Sequence, residues 1–319
     1  IVATQPSWFY VMVVVTVLLF TELKHTFTEL AQRMKNDEMI TLAKFLAISG
    51  IILPMLPNEN LIPDINLTPY TVWLATVVVS GISYLSYLLR RYVFHESGIL
   101  VSGIIGGLYS STATISVLAR KSRKAPAQEA PEYAAAMLLA VSMMFLRFLI
   151  LIGIFSKAIL AEIYPYLLIM SFVTAGVAWY LHRKRKPIPV TGEEAEEEDS
   201  SNPLEFKVAL IFAVLFVIFT IVTHYTLIYT GTGGLNVLSF IAGLSDITPF
   251  ILNLLQGSGV AVVVVTACCM QAIVSNIAVN MCYALFFAGG RSPLRRWVLR
   301  GFGGVIAVNV CMLLFFYLL

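Results

Sequence analysis

Two ionisable side chains lie far from the ends of the apolar stretches of this 319-residue chain: Arg147, in AVSMMFLRFLIL, and Asp246, in FIAGLSDITPFIL. A charge at the centre of a membrane helix costs roughly 2.5 to 3.5 kcal/mol on insertion scales, so each must face the protein interior and find a partner. Two arrangements satisfy that need. In one, Arg147 and Asp246 pair with each other and pin a packed segment. In the other, Arg147 holds an anion while Asp246 gates it or carries a proton. A guanidinium suits the second task because its planar fork meets carboxylate or phosphate bidentately.

Asp246 belongs to one of two similar polar interruptions. GIIGGLYSSTATIS reads as a helix broken by glycine at Gly106 and Gly107, followed by Ser110, Ser111, Thr112 and Thr114. FIAGLSDITPFIL breaks at Gly243 and continues through Ser245, Asp246 and Thr248, with Pro249 in the first turn of the next half-helix. Ser110 and Asp246 are both good N-caps, which could simply satisfy backbone donors freed where a helix restarts. Capped half-helices can also aim their partial positive charge at a bound anion, and the two readings are compatible. The candidate substrate-binding set is therefore Ser110, Ser111, Thr112, Arg147, Asp246, Thr248 and Asn276.

Asn276 sits in QAIVSNIAVN with Gln271, Ser275 and Asn280, on one helical face. Amides at such spacing either glue helices together or line a site beside the second break. His224 and the tryptophans Trp8, Trp73, Trp179 and Trp297 fall near span ends, as interfacial residues do. The four cysteines lie in apolar stretches without metal-ligand spacing, so no metal or cofactor is expected.

The elements that must position these residues are membrane helices. With 59% hydrophobic residues, 12% charged residues and a mean hydropathy of +0.86, the chain is not an ordinary soluble globule. A net charge of +3 gives no reason to expect a nucleic-acid partner. The candidate apolar segments are Ser7 to Phe20, Ile40 to Leu56, Tyr70 to Leu89, Ser97 to Ala119, Ala134 to Ser156, Ile163 to Leu181, Val208 to Tyr229, Leu235 to Leu255, Gly259 to Ala288 and Trp297 to Leu319. If all crossed fully, the clusters at 120–124 and 183–186 would lie opposite Arg90 and Arg91. If Ser97 to Ala119 and Leu235 to Leu255 dip in and return, nearly every cation lies on the cytoplasmic side.

The expected fold is thus all-α and polytopic, with about eight full spans and two re-entrant helical hairpins. A gapless register that pairs Asn66 with Asn202, Gly107 with Gly243 and Thr112 with Thr248 makes the halves repeats, which this topology inverts. The divisions are a two-span segment 1–65, repeat 1 over 66–186, an acidic cytoplasmic linker 187–201 (containing EEAEEEDSS) and repeat 2 over 202–319. Ile1 is not an initiator methionine, and the natural start is expected upstream.

The stretches LPNEN through NLTPYTVWLATVVVSGISYLSYLL, GGLYSSTATISVLARKS, NPLEFKVALIFA and AGLSDITPF resemble the membrane domain of unknown function that follows MgtC/SapB-type domains in bacteria. The resemblance covers nearly the whole chain, and GGL-x-SSTA and NP-x-E are its most specific parts. It implies a multi-pass protein of the bacterial inner membrane, linked to magnesium or phosphate homeostasis, and supplies no catalytic residues. Three function classes follow: an inverted-repeat transporter or channel for a small or phosphate-headed anion, free or lipid-linked; a magnesium or other cation pathway; and a regulatory or assembly subunit. An enzyme is not expected, because no Ser/His, paired-Asp or HExxH arrangement occurs in the spans. Expected partners are the bilayer, the ionic solute or phosphate-headed lipid, and either a second copy or an MgtC-like domain.

Overall fold

The computed structural model describes residues 14, 18, 21, 36–60, 65, 67–89, 98–185, 206–256, 259–290 and 292–318. Ser7 to Phe20 as a span, most of the connector that follows it, the pair Arg90 and Arg91, and the acidic linker lie outside them. The chain divides into two units, Ile1–Met55 and Leu56–Leu319. In the first, α1 (Asn36–Ala47) runs through a π-helical stretch at Ile48–Ile52 into a last turn at Leu53–Met55.

The second unit is helical throughout its described length apart from short connections: α2 (Pro69–Leu88), α3 (Ile99–Lys121), α4 (Ala130–Phe155), α5 (Lys157–His182), α6 (Phe206–Ala242), α7 (Ile247–Leu255), α8 (Val262–Ala288) and α9 (Leu294–Leu318). Seven of the described helical segments are long and apolar enough to cross a membrane, and the protein is a multi-pass membrane protein. Local sequence sets the helix starts. Thr68 and Thr71 form a reciprocal capping box ahead of α2, with Pro69 in the first turn, and the Ser156 hydroxyl accepts from the Ile159 N–H at 3.4 Å to open α5.

Two of these helices are interrupted. Within α3, Ser110 alone has an extended backbone, φ −158° and ψ 111°. A Cβ added to Gly106 would lie 2.5 Å from Thr114 Oγ1, although eight residues of straight helix span about 12 Å. The segments before and after Ser110 therefore fold back on each other. Gly103 and Gly107 meet Ala136 and Ala140 of α4 in the same order, so the first half of α3 runs parallel to α4. This corrects the expected break at Gly106 and Gly107. Both stay helical, and their missing side chains instead admit the backbone of α4 and the side chain of Thr114.

In α6 the interruption is Gly231, at φ 65° and ψ −155°, a conformation in which a Cβ is strained. The stretch beyond it lies along α8, with Asn236, Ser239 and Gly243 meeting Cys268, Gln271 and Ala272 in the same order. It ends at the turn before α7. Phe219 packs edge-on against Phe250 at 5.5 Å, and Asn253 Nδ2 donates to Thr223 Oγ1 at 2.9 Å, so α7 runs alongside the first part of α6.

The core centres on α4, α7 and α8, where alanine, cysteine and branched side chains are almost wholly buried. Between the halves, Tyr166 donates to Asn309 Oδ1 at 2.6 Å, while Gly301 abuts Leu181, so α5 and α9 are antiparallel. Arg185 pairs with Glu132 at 3.1 Å, and Arg123 donates to the Phe286 carbonyl at 3.3 Å. These ties bring the ends of α3, α5 and α8 and the starts of α4 and α9 to one end of the bundle. Arg120, Lys121, Arg123, Lys124, Arg183, Lys184, Arg185, Arg295, Arg296 and Arg300 gather there.

Candidate functional site

The break at Ser110 in α3 and the turn between α6 and α7 each restart a helix with a side-chain cap, at positions that the repeat register pairs. Ser110 Oγ accepts from the Ala113 N–H at 3.3 Å, and Asp246 Oδ1 accepts from the Thr248 N–H at 3.0 Å. A helix stopped inside a membrane also leaves carbonyls exposed at its end. Arg147, from the middle of α4, answers that need at the first break by donating from Nη1 to the Tyr109 carbonyl at 2.8 Å. Asn276, from α8, does the same at the second, with Nδ2 at 3.3 Å from the Gly243 carbonyl and 3.4 Å from that of Ser245. Tyr109 and Ser245 are paired in the register, so the two donors serve equivalent carbonyls.

Asp246, at the second break, forms no ion pair with Arg147 inside 4 Å among the described residues. The pinning ion pair is therefore not formed. Arg147 Nε is buried and lacks a hydrogen-bond partner among the described residues. Leaving such a donor unpaired is costly, so a group that accepts from it would be held firmly.

The other members of the set divide by burial. Thr248, Asn276 and Ser111 are buried, Ser110, Thr112 and Arg147 are half-buried, and Asp246 is exposed. Ser110, Arg147, Asp246 and Asn276 are tied to the two breaks by the contacts above. The Thr112 carbonyl accepts from the Ser116 hydroxyl at 2.8 Å. Nothing in the described contacts brings Ser111 or the Thr248 side chain to Arg147.

The polar face of α8 acts as glue along its whole length. Ser275 donates to the Phe240 carbonyl at 2.7 Å, Gln271 bonds Ser239 and Tyr317, and Asn280 Nδ2 donates to Asn276 Oδ1 at 3.1 Å. Sequence reasoning missed the backbone carbonyl of Tyr109 and the Tyr166 and Asn309 pair. An asparagine in the apolar run of α9 was the available signal for the second; nothing marked the first. His224 stands against Tyr225 near the end of the first part of α6, and Trp179 and Trp297 lie beneath Arg183 and Arg300 at the basic end. Among the described residues no cluster of His, Cys, Asp and Glu could hold a metal ion.

The sequence profile of a family described as a domain of unknown function (DUF4010) matches residues 77–288, which include both breaks, Arg147 and Asn276. An uncharacterized protein of Aquifex aeolicus (strain VF5) is 27% identical over 201 residues, covering 59% of this chain and 82% of that protein. No solved structure matches the chain.

Proposed function

The chain belongs to the DUF4010 family, and on that footing we propose that it is a secondary transporter or channel of the bacterial inner membrane, with an inverted-repeat core that moves a small or phosphate-headed anion. The observation that carries this reading is Arg147, which donates to the Tyr109 carbonyl at the first break while its buried Nε has no acceptor among the described residues. Broken helices around a midplane site are the usual way that a transporter binds a charged solute within the bilayer.

Three further features support it. The register that pairs Asn66 with Asn202 also pairs the caps Ser110 and Asp246, and superposes α4 on α8 and α5 on α9. Those last two helices are antiparallel, as inverted repeats require. The fold-back at Ser110 lets both ends of α3 lie on the basic side, which the positive-inside rule makes cytoplasmic. In this reading α3 and the α6–α7 turn are re-entrant hairpins rather than full spans.

Arg147 is the anion-binding charge, and Ser110, Asp246 and Asn276 hold the half-helices around it. Asp246 carries the opposite charge and is exposed, so an anion entering the site must displace or neutralise its influence. The chemistry assigned to these residues is binding and translocation, with no covalent step.

The test is thermal-shift binding on purified protein with phosphate, carboxylates, polyprenyl phosphate and magnesium, in wild type, Arg147→Ala and Asp246→Asn. The reading expects stabilisation by an anion, loss of it in Arg147→Ala, and tighter binding in Asp246→Asn, where the opposing charge is gone. Stabilisation by magnesium that survives Arg147→Ala would instead establish a cation pathway. The absence of any ligand-dependent shift would favour a regulatory or assembly subunit.

A further inference from the structure

At the basic end of the bundle, cations lie over aromatic rings. Arg120 stands 4.5 Å from the centre of the Phe287 ring, Arg183 5.3 Å from that of Trp179, Lys184 5.2 Å from that of Tyr180 and Arg300 5.9 Å from that of Trp297. Two of these pairs are neighbours at the close of α5, where residues four apart share a helical face. Trp179 and Tyr180 follow one another in the chain, and so do the Arg183 and Lys184 that cover them. Both rings are 59% exposed and both cations are exposed, so the two pairs project outward from the bundle. The Trp179 ring is steadied further by His182, 6.2 Å away between ring centres. Carboxylates are scarce at this end: among the described residues Glu129 and Glu132 stand there, and Glu132 is taken up by Arg185 at 3.1 Å.

We infer that Trp179 with Arg183 and Tyr180 with Lys184 form a binding site for the phosphate group of an anionic phospholipid in the leaflet at this end. α5 is long and apolar enough to cross the bilayer, and outward Trp and Tyr rings in the closing turns of such a helix sit at headgroup depth. Cations stacked on those rings stand where lipid phosphates are. A ring face beneath a cation holds it in place and leaves its N–H groups to donate elsewhere. The guanidinium of Arg183 can give two parallel hydrogen bonds to phosphate oxygens, and the ammonium of Lys184 adds a second charge beside it. The surplus of cations selects an anionic lipid over a zwitterionic one, whose own cation cancels the attraction. The aromatic platforms select a lipid over a free anion, since amphipathic rings are at home against the boundary between headgroup and chain. Arg147 lies in the middle of α4, so this site is separate from the one proposed above and does not depend on it.

The experiment titrates the full chain in mild detergent with phosphatidylglycerol, phosphatidylcholine or inorganic phosphate, reading bound lipid by native mass spectrometry and stability by thermal unfolding. Phosphatidylglycerol is expected to bind about tenfold or more tightly than phosphatidylcholine, to raise the Tm, and to resist displacement by inorganic phosphate. Arg183→Gln with Lys184→Gln should weaken that binding about tenfold or more. Arg295→Gln with Arg296→Gln, which removes the same charge from the same end, should weaken it far less, and Arg147→Ala should leave it unchanged. Trp179→Leu with Tyr180→Leu keeps both cations and should weaken it severalfold, which keeps the inference testable if the first charge variant fails to fold. Equal losses in the two charge variants would mean attraction by net charge without a site and would overturn the inference. So would equal binding of the two lipids, ready displacement by inorganic phosphate, or wild-type affinity in Trp179→Leu with Tyr180→Leu.

Discussion

At the residue scale, two side chains of different chemistry solve the same problem. A carbonyl stranded at the end of a broken helix is met by Arg147 at Tyr109 and by Asn276 at Ser245. The amide satisfies its two carbonyls and also accepts from Asn280, so it is spent on structure. The guanidinium has donors to spare, and for that reason the proposed anion site is assigned to Arg147 and not to Asn276. Asn276→Ala should lower stability by about 1 to 3 kcal/mol by orphaning buried carbonyls, seen as a reduced Tm in detergent. Arg147→Lys should retain much of the stability and lose anion affinity, since an ammonium keeps the charge and the carbonyl contact without the fork. Equal losses of both properties in Arg147→Lys would count against a binding role.

At the element scale, glycine determines where helices touch and where they turn. Gly107 brings α3 onto α4 so closely that an added Cβ would lie 2.5 Å from Ala140 Cα. Backbone cannot move aside as a flexible side chain can, so Gly107→Val should cost more than about 3 kcal/mol. Gly176, in α5, has nothing within 4 Å of an added Cβ, and Gly176→Ala should be neutral or stabilising by up to about 1 kcal/mol. Gly231 separates steric from conformational demand: its surroundings are open, yet its φ of 65° is unfavourable for any side chain. Gly231→Ala should therefore destabilise through the backbone alone, by about 1 to 3 kcal/mol. Thermal unfolding of the three variants side by side checks the ordering.

At the scale of the whole molecule, the apolar segments and the two polar interruptions were legible in the sequence because bilayer thickness and backbone satisfaction leave few alternatives. The caps Ser110 and Asp246 were legible for the same reason, since a helix that restarts in an apolar run needs an oxygen at its first turn. Gly106 and Gly107 were misread because glycine permits both a break and a close approach, and only the alanines of α4 distinguish the two. The Arg147 to Tyr109 contact could not be read, since a carbonyl carries no mark in sequence. Nor could the unequal covering of the first half of α3 and the second part of α6, which depends on which helices flank them rather than on their own residues.

All of this stands on each hairpin returning to the side it entered. The direct measurement is labelling of single cysteines by a membrane-impermeant maleimide in oriented vesicles, with the four native cysteines replaced and ligand-dependent stability retained. Gly98→Cys, Ser122→Cys and Lys184→Cys should react from the same side, the cytoplasmic one, and Lys157→Cys from the other. Reaction of Gly98→Cys and Ser122→Cys from opposite sides would make α3 a full span, take its tip away from Arg147, and contradict the site built upon it.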